Sequence, residues 1–309
     1  MQSLWMLLAT IVFSIMGVCV KLASAYYSTA EIVMVRGAIG ILFIGALVLA
    51  RGDSLRTRFP RSHLWRGLVG VTALSLWFYA IANLPLAMAM TLNYMAPIWI
   101  AAILFIAGWW RGALRFEWGM LAAILASFAG VTLLLQPSMH LTQWTTGLVA
   151  LFSGMLSALA YLQVRQLGQL GEPEFRVVFY FSLTGMLAGL IGTLLTNGPQ
   201  GHTAIWHQPS LKGALLMLAI GVTATVAQMA MTRAYRLGKM LVTANLQYTG
   251  IVFSSFWGVL LWQDVLGWKG WAGIAVILLS GLVATYYNTR NTVTAGVNRP
   301  TTDPIAAEI

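Results

Sequence analysis

The chain is a succession of long apolar runs separated by short polar gaps. A helix needs about 20 apolar residues to cross a bilayer. By that measure the runs predict ten spans: Ser3–Val20, Ile32–Ala50, Leu64–Asn83, Ala87–Trp109, Trp118–Gln136, Thr146–Val164, Phe175–Thr196, Leu211–Thr232, Met240–Gln263 and Trp268–Asn288. The gap Leu84–Pro85–Leu86 is very short. It is kept as a break because one helix from Ser75 to Ile106 would be about 48 Å long, too long for the hydrocarbon core. The first run is followed by Ala23, Ser24 and Ala25, which imitates a cleaved leader. No basic residue precedes it, so it is expected to stay as a helix.

The gaps carry a direction. Arg51, Arg56, Arg58, Arg61 and Arg66 follow span two; Arg111 and Arg115 follow span four. Arg165 and Arg176 follow span six, Arg233, Arg236 and Lys239 follow span eight, and Arg290 and Arg299 lie in the tail. The alternate gaps hold only Lys21, Lys212 and Lys269. Cytoplasmic loops carry the excess of Lys and Arg. The expected placement is therefore a multi-pass protein of a bacterial inner membrane with both termini cytoplasmic. Many Trp and Tyr residues, such as Trp5, Trp109, Trp110, Trp268 and Tyr286, fall near span ends and suit an interfacial belt.

Composition agrees with lipid as the solvent: of 309 residues 59% are hydrophobic and 8% charged, against about 25% charged in a soluble domain. The formal charge of +10 does not indicate a nucleic-acid partner. The basic residues sit in gaps rather than in a patch with interleaved aromatics, and they match an anionic leaflet instead. The lone Cys19 excludes an internal disulfide, and His202 and His207 lack metal-ligand spacing. No histidine and no acid cluster lies at span depth, so an intramembrane enzyme is not expected, and neither is a cofactor.

A shift of 154 residues places Ala80 on Ala234, Leu92 on Leu246, Tyr94 on Tyr248 and Gly119 on Gly273. The same shift turns Tyr79, Ala82 and Pro85 into Arg233, Arg236 and Lys239. Equivalent loops should differ in charge in this way when each repeat has an odd number of spans. The expected fold is an all-α polytopic membrane protein of two inverted five-helix repeats. Their bounds are residues 1–142 and 143–290, followed by a disordered tail over 291–309. Inverted repeats are a transporter architecture, with the site where the halves meet.

The segments "VMVRGAIGIL" around Arg36, "LPLAMAMTLNYMAPIW", "RLGKMLVTANLQY" and "GWAGIAVILLSGLV" resemble the EamA family of the drug/metabolite transporter superfamily. The resemblance covers nearly all of residues 3–288. It implies a secondary transporter exporting amino acids or amino-acid derivatives, opine-type metallophores among them. It leaves two other readings open. One is an uptake carrier for a vitamin- or nucleoside-like solute such as riboflavin or S-adenosylmethionine. The other is a receptor or scaffold that transports nothing. Family members often carry an acid at the end of spans four and nine; Asp264 fits the second position, but its 154-offset counterpart is Trp110.

Polar side chains inside a span are costly and tend to face a bundle interior. Arg36 is either a carboxylate anchor or a helix-tying arginine. In span four, Thr91, Asn93 and Tyr94 precede Pro97, which removes a backbone donor and is the expected hinge. Their 154-offset partners are Asn245, Gln247 and Tyr248. These sets either form a central substrate site or make interhelical hydrogen bonds of about 0.6 kcal/mol each. Trp77, Tyr79 and Gln228 are further candidates, followed by Ser14, Tyr161, Gln163 and Tyr180. With one arginine and no acid at span depth, a small neutral or zwitterionic solute is the expected cargo, and coupling to protons or to the membrane potential is left open. Gly37 with Gly40, Gly185 with Gly189, and Gly281 with Ala284 are expected at close helix contacts.

Overall fold

The computed structural model describes residues 4–110, single positions between 119 and 133, and residues 141–196, 210–238, 240–263 and 267–295. The described elements are all helical: α1 (Trp5–Ala23), α2 (Thr29–Arg51), α3 (Pro60–Asn83), α4 (Leu86–Asn93), α5 (Ala96–Trp110), α6 (Leu141–Gln169), α7 (Glu174–Thr196), α8 (Leu211–Leu237), α9 (Met240–Leu246), α10 (Thr249–Trp262) and α11 (Trp268–Ala295). Lipid offers the backbone no hydrogen-bond partner, so a spanning segment satisfies its own amides by coiling.

Among the described residues, seven helices are long and apolar enough to cross a membrane. They correspond to expected spans one to four and six to eight, with α4 and α5 together forming the fourth. Span five falls largely outside the described residues. Span nine is divided into α9 and α10, and span ten begins α11, which is apolar over Trp268–Ser280. Helix α11 continues to Ala295, past the expected end of span ten, and residues 296–309 of the expected tail lie outside the described residues. No glycine or proline interrupts the chain between Asn288 and Gly296.

Local chemistry sets the ends. Ser28 and Glu31 form a capping box that opens α2, and Gly52, at φ 68°, closes it in the left-handed conformation. Pro60 starts α3, where its missing donor costs nothing. The main packing pairs are α1 on α8, α3 on α6 and α2 on α7. At the last pair, a Cβ on Gly37 would meet the Met186 backbone, and one on Gly189 would meet the Met34 backbone. Glycine at both positions lets these helices touch main chain to main chain. Gly185 has no such contact, and Gly281 with Ala284 lies outside the described side chains.

Candidate functional site

Two helices that would otherwise run straight are broken, and both breaks face the bundle interior. The fourth span stops at Asn93, turns through Tyr94 and Met95, and restarts at Ala96. The ninth stops at Leu246, turns through Gln247 and Tyr248, and restarts at Thr249. Pro97 lies just past the first break, inside the opening turn of α5, where proline is tolerated. No proline stands near the second break.

Between the breaks lies a narrow cavity of about 30 Å³, bounded by α1, α3, α6, α7, α8 and the two turns. Trp77, Tyr94, Tyr161, Gln228 and Gln247 line it, five of the residues expected from the sequence. The Trp77 indole nitrogen, the Tyr94 hydroxyl and Gln247 Oε1 are buried with no protein partner. Buried polar atoms are nearly always hydrogen-bonded, so this convergence marks a place built to meet something else. Gly250 leaves room for the Tyr94 ring, which a Cβ there would strike.

The other expected residues are placed differently. Asn93 donates to Ser153 Oγ at 2.9 Å and Ser157 Oγ at 3.4 Å, while Ser153 donates to the Ala73 carbonyl at 2.7 Å. It therefore ties the break to α6 and α3 and does not line the cavity. Thr91 donates back to the Ala87 carbonyl at 2.7 Å, a bond within its own helix. Asn245 and Tyr248 lie on the second break away from the cavity wall, with Tyr248 buried. Tyr79 is 45% exposed and lies off the cavity, because it is two helical positions round from the inward-facing Trp77. Arg36 is buried beside the ring of Phe181, 5.1 Å from its centroid.

Arg66 corrects the charge tally. It belongs to α3, is 2% exposed, lines the cavity and sits 4.2 Å from the centroid of the same Phe181 ring. Its guanidinium occupies space that a Cβ on Gly70 would fill. Tyr161 stacks on Tyr235, with ring centroids 5.2 Å apart. Arg165, also counted among the gap cations, is a buried residue of α6 that donates to the Tyr235 carbonyl at 3.3 Å and the Gly238 carbonyl at 2.7 Å.

A second polar cluster lies beyond the C-terminal end of α6. Glu172, in the turn before α7, accepts hydrogen bonds from Thr57 at 2.8 Å and Arg176 at 3.1 Å, and its Oε2 lies 3.2 Å from His63 Nε2. Burial acts to raise this carboxyl, but the bonds from Thr57, Arg176 and His63 outweigh it and hold it below the usual carboxylate range.

Comparison with known proteins gives this geometry a setting. The family model described as the EamA-like transporter family matches residues 1–136. The pseudopaline exporter CntI of Pseudomonas aeruginosa is 33% identical over 260 residues, covering 84% of this chain and 86% of its own. A riboflavin transporter of Vibrio cholerae is 26% identical over 308 residues, with coverage of 93% and 94%. A crystal structure with 20% identity superposes at a TM-score of 0.66 over 94% of this chain and 98% of its own, which shows a shared fold. Helices able to cross a membrane, their packing and relatives alike over most of their length agree: the chain belongs to the EamA-like transporter family of membrane transporters.

Proposed function

We propose that the chain is a ten-span secondary transporter of a bacterial inner membrane that exports an amino-acid derivative of opine type by alternating access. Both termini are cytoplasmic in this reading, and two inverted five-helix halves meet at the central cavity. The observation that carries it is the cavity itself, where one broken helix from each half delivers a polar side chain, Tyr94 and Gln247. A cavity at this place with Arg66, Tyr94, Gln228 and Gln247 on its wall also favours transport over a receptor or scaffold.

Packing supports two equivalent halves. If spans six, seven and eight repeat one, two and three, then the α1–α8 contact is the image of the α3–α6 contact, and α2–α7 is its own image. The cation contacts follow the same rule. Lys21 donates to the carbonyls of Ile81 and Leu84, and Arg165 to those of Tyr235 and Gly238. The acceptors in the two halves differ by the same 154 residues. The cavity holds at most a water or two, so cargo enters when the halves separate at one end.

Export of an opine-type solute draws on the pseudopaline exporter, the more similar of the two named relatives above. Uptake of a vitamin-like solute is the second reading, favoured by the relative named a riboflavin transporter. Metabolite profiling of cells and medium, with and without the protein, separates the two. Export predicts an amino-acid derivative that appears outside only when the protein is present. Depletion of a vitamin from the medium supports uptake. Identical profiles in both compartments sink the transport assignment of the cavity.

A further inference from the structure

Arg36 and Arg66 are 3% and 2% exposed, and they share one aromatic ring, Phe181. On each guanidinium, Nε and Nη1 are buried without a hydrogen-bond partner. Their guanidinium carbons lie 5.1 Å and 4.2 Å from that one ring centroid, so they are at most 9.3 Å apart. No ion pair among the described residues involves either arginine. The described acids are committed or remote. Glu31 closes the α2 capping box, Glu172 serves Thr57, His63 and Arg176, Glu174 pairs with Arg236 at 3.1 Å, and Asp53 is exposed in the loop after α2.

One face of an aromatic ring offsets only a small part of burying a cation. A pair of unpaired guanidiniums in a dry interior is therefore a stored cost, and an arriving anion relieves it. A single carboxylate leaves one positive charge uncompensated; two carboxylates neutralise both. Arginine suits the task because it stays charged and presents several donors in a plane. Arg66 lines the cavity and can meet the first carboxylate directly, with Gly70 providing the room for its head group.

Building on the transporter reading, we infer that Arg66, on the cavity wall, and Arg36, beside the same Phe181 ring, form a two-charge anion site, and that the cargo is an amino-acid derivative with at least two carboxylates. This replaces the neutral or zwitterionic cargo expected from a single buried arginine. Trp77 and Tyr94 then offer an indole N–H and a hydroxyl to the remaining polar groups of the solute.

The test uses the full chain in lipid nanodiscs, with N-(carboxymethyl)-L-phenylalanine as the dicarboxylate probe. Its monoamide and phenylalanine serve as single-carboxylate controls, and the readout is the ligand-induced rise in thermal midpoint. The dicarboxylate should bind at least about tenfold more tightly than either control. Arg66→Gln and Arg36→Gln should each remove that advantage, with Arg66→Lys keeping part of it. Without ligand, Arg66→Met should raise the midpoint, since it deletes an unpaired buried charge; an arginine that only ties helices together would give a fall. Equal binding of dicarboxylate and monoamide, no dicarboxylate binding, or undiminished binding in Arg66→Gln overturns the inference. Counterflow of labelled probe in proteoliposomes separates the two claims. Arginine-dependent binding with no counterflow sinks the transporter reading and leaves the anion site, whereas phenylalanine counterflow indifferent to Arg66→Gln does the reverse.

Discussion

The two cation contacts at the ends of α3 and α8 do the same job with different chemistry. Each helix ends in an extended residue whose amide closes the last turn: Leu84 N–H to the Ala80 carbonyl at 2.9 Å, and Gly238 N–H to the Ala234 carbonyl at 2.8 Å. Each then leaves carbonyls without an intrahelical donor, and a cation placed there also complements the negative end of the helix. At the α3 end the cation is Lys21, a half-buried ammonium that also lies 5.7 Å from the Trp262 ring centroid. At the α8 end it is Arg165, buried, holding both carbonyls with one guanidinium nitrogen. A compact ammonium on a flexible stem can exchange these carbonyls for water with little loss. A dry guanidinium cannot. The Lys21 end is thus the easier one to open, and the Arg165 end the firmer seal.

Removing each cation should expose that difference, and it is the largest effect expected. Arg165→Ala leaves two buried acceptors unsatisfied, for an expected loss of about 2–3 kcal/mol. Lys21→Ala should lose less, about 1 kcal/mol, because the half-buried ammonium it removes gives up hydration of its own to hold these carbonyls, which offsets part of what the bonds return. Denaturation of the nanodisc-embedded protein measures both, and equal losses would break the comparison. Exchanging the cations sharpens it: Lys21→Arg should be close to neutral, while Arg165→Lys should fall between wild type and Arg165→Ala.

A smaller difference is expected at the helix breaks, where offset-equivalent residues have parted in role. Asn93→Ala removes the bonds to Ser153 and Ser157 and should lower stability by about 1 kcal/mol while leaving cargo affinity little changed. Gln247→Ala should do the opposite, since Gln247 lines the cavity. Parallel thermal and transport assays of the two variants decide it. Equal transport defects at equal membrane abundance would restore a symmetric site.

The spanning helices were legible because lipid forces one solution on the backbone: an apolar run of the right length must coil. Which face of such a helix points inward was not. α3 is apolar nearly all round, so Tyr79 and Trp77 look alike in sequence, although one is exposed and the other buried. Arg66 was read as a loop charge because Pro60, Arg61, Ser62 and His63 before it resemble a gap. Its burial comes from Phe181 on α7, a neighbour more than a hundred residues away. The first helix break left a trace in Pro97. The second left none, and only packing between the halves reveals it.

The smallest expected effect tests the firmer end by pH. The Glu172 cluster lies at the Arg165 end, where α6 finishes. Because the folded-state carboxyl is held below its ordinary 4.5, its contribution is fully present above that pH. It is lost as the pH falls through the lower folded value. Acid should therefore loosen the Arg165 end as Glu172 takes up its proton. Glu172→Gln removes the titrating group, so its stability should be lower at neutral pH and flatter below pH 4.5 than that of the wild type. Hydrogen exchange at pH 7 and at a series of pH values below 4.5, expressed as protection factors so that the intrinsic slowing of exchange in acid is divided out, provides the local measurement. A fall in protection in acid at residues 174–178 that is absent in Glu172→Gln is the expected result; the same fall in Glu172→Gln would mean that the seal at the α6 end does not depend on Glu172.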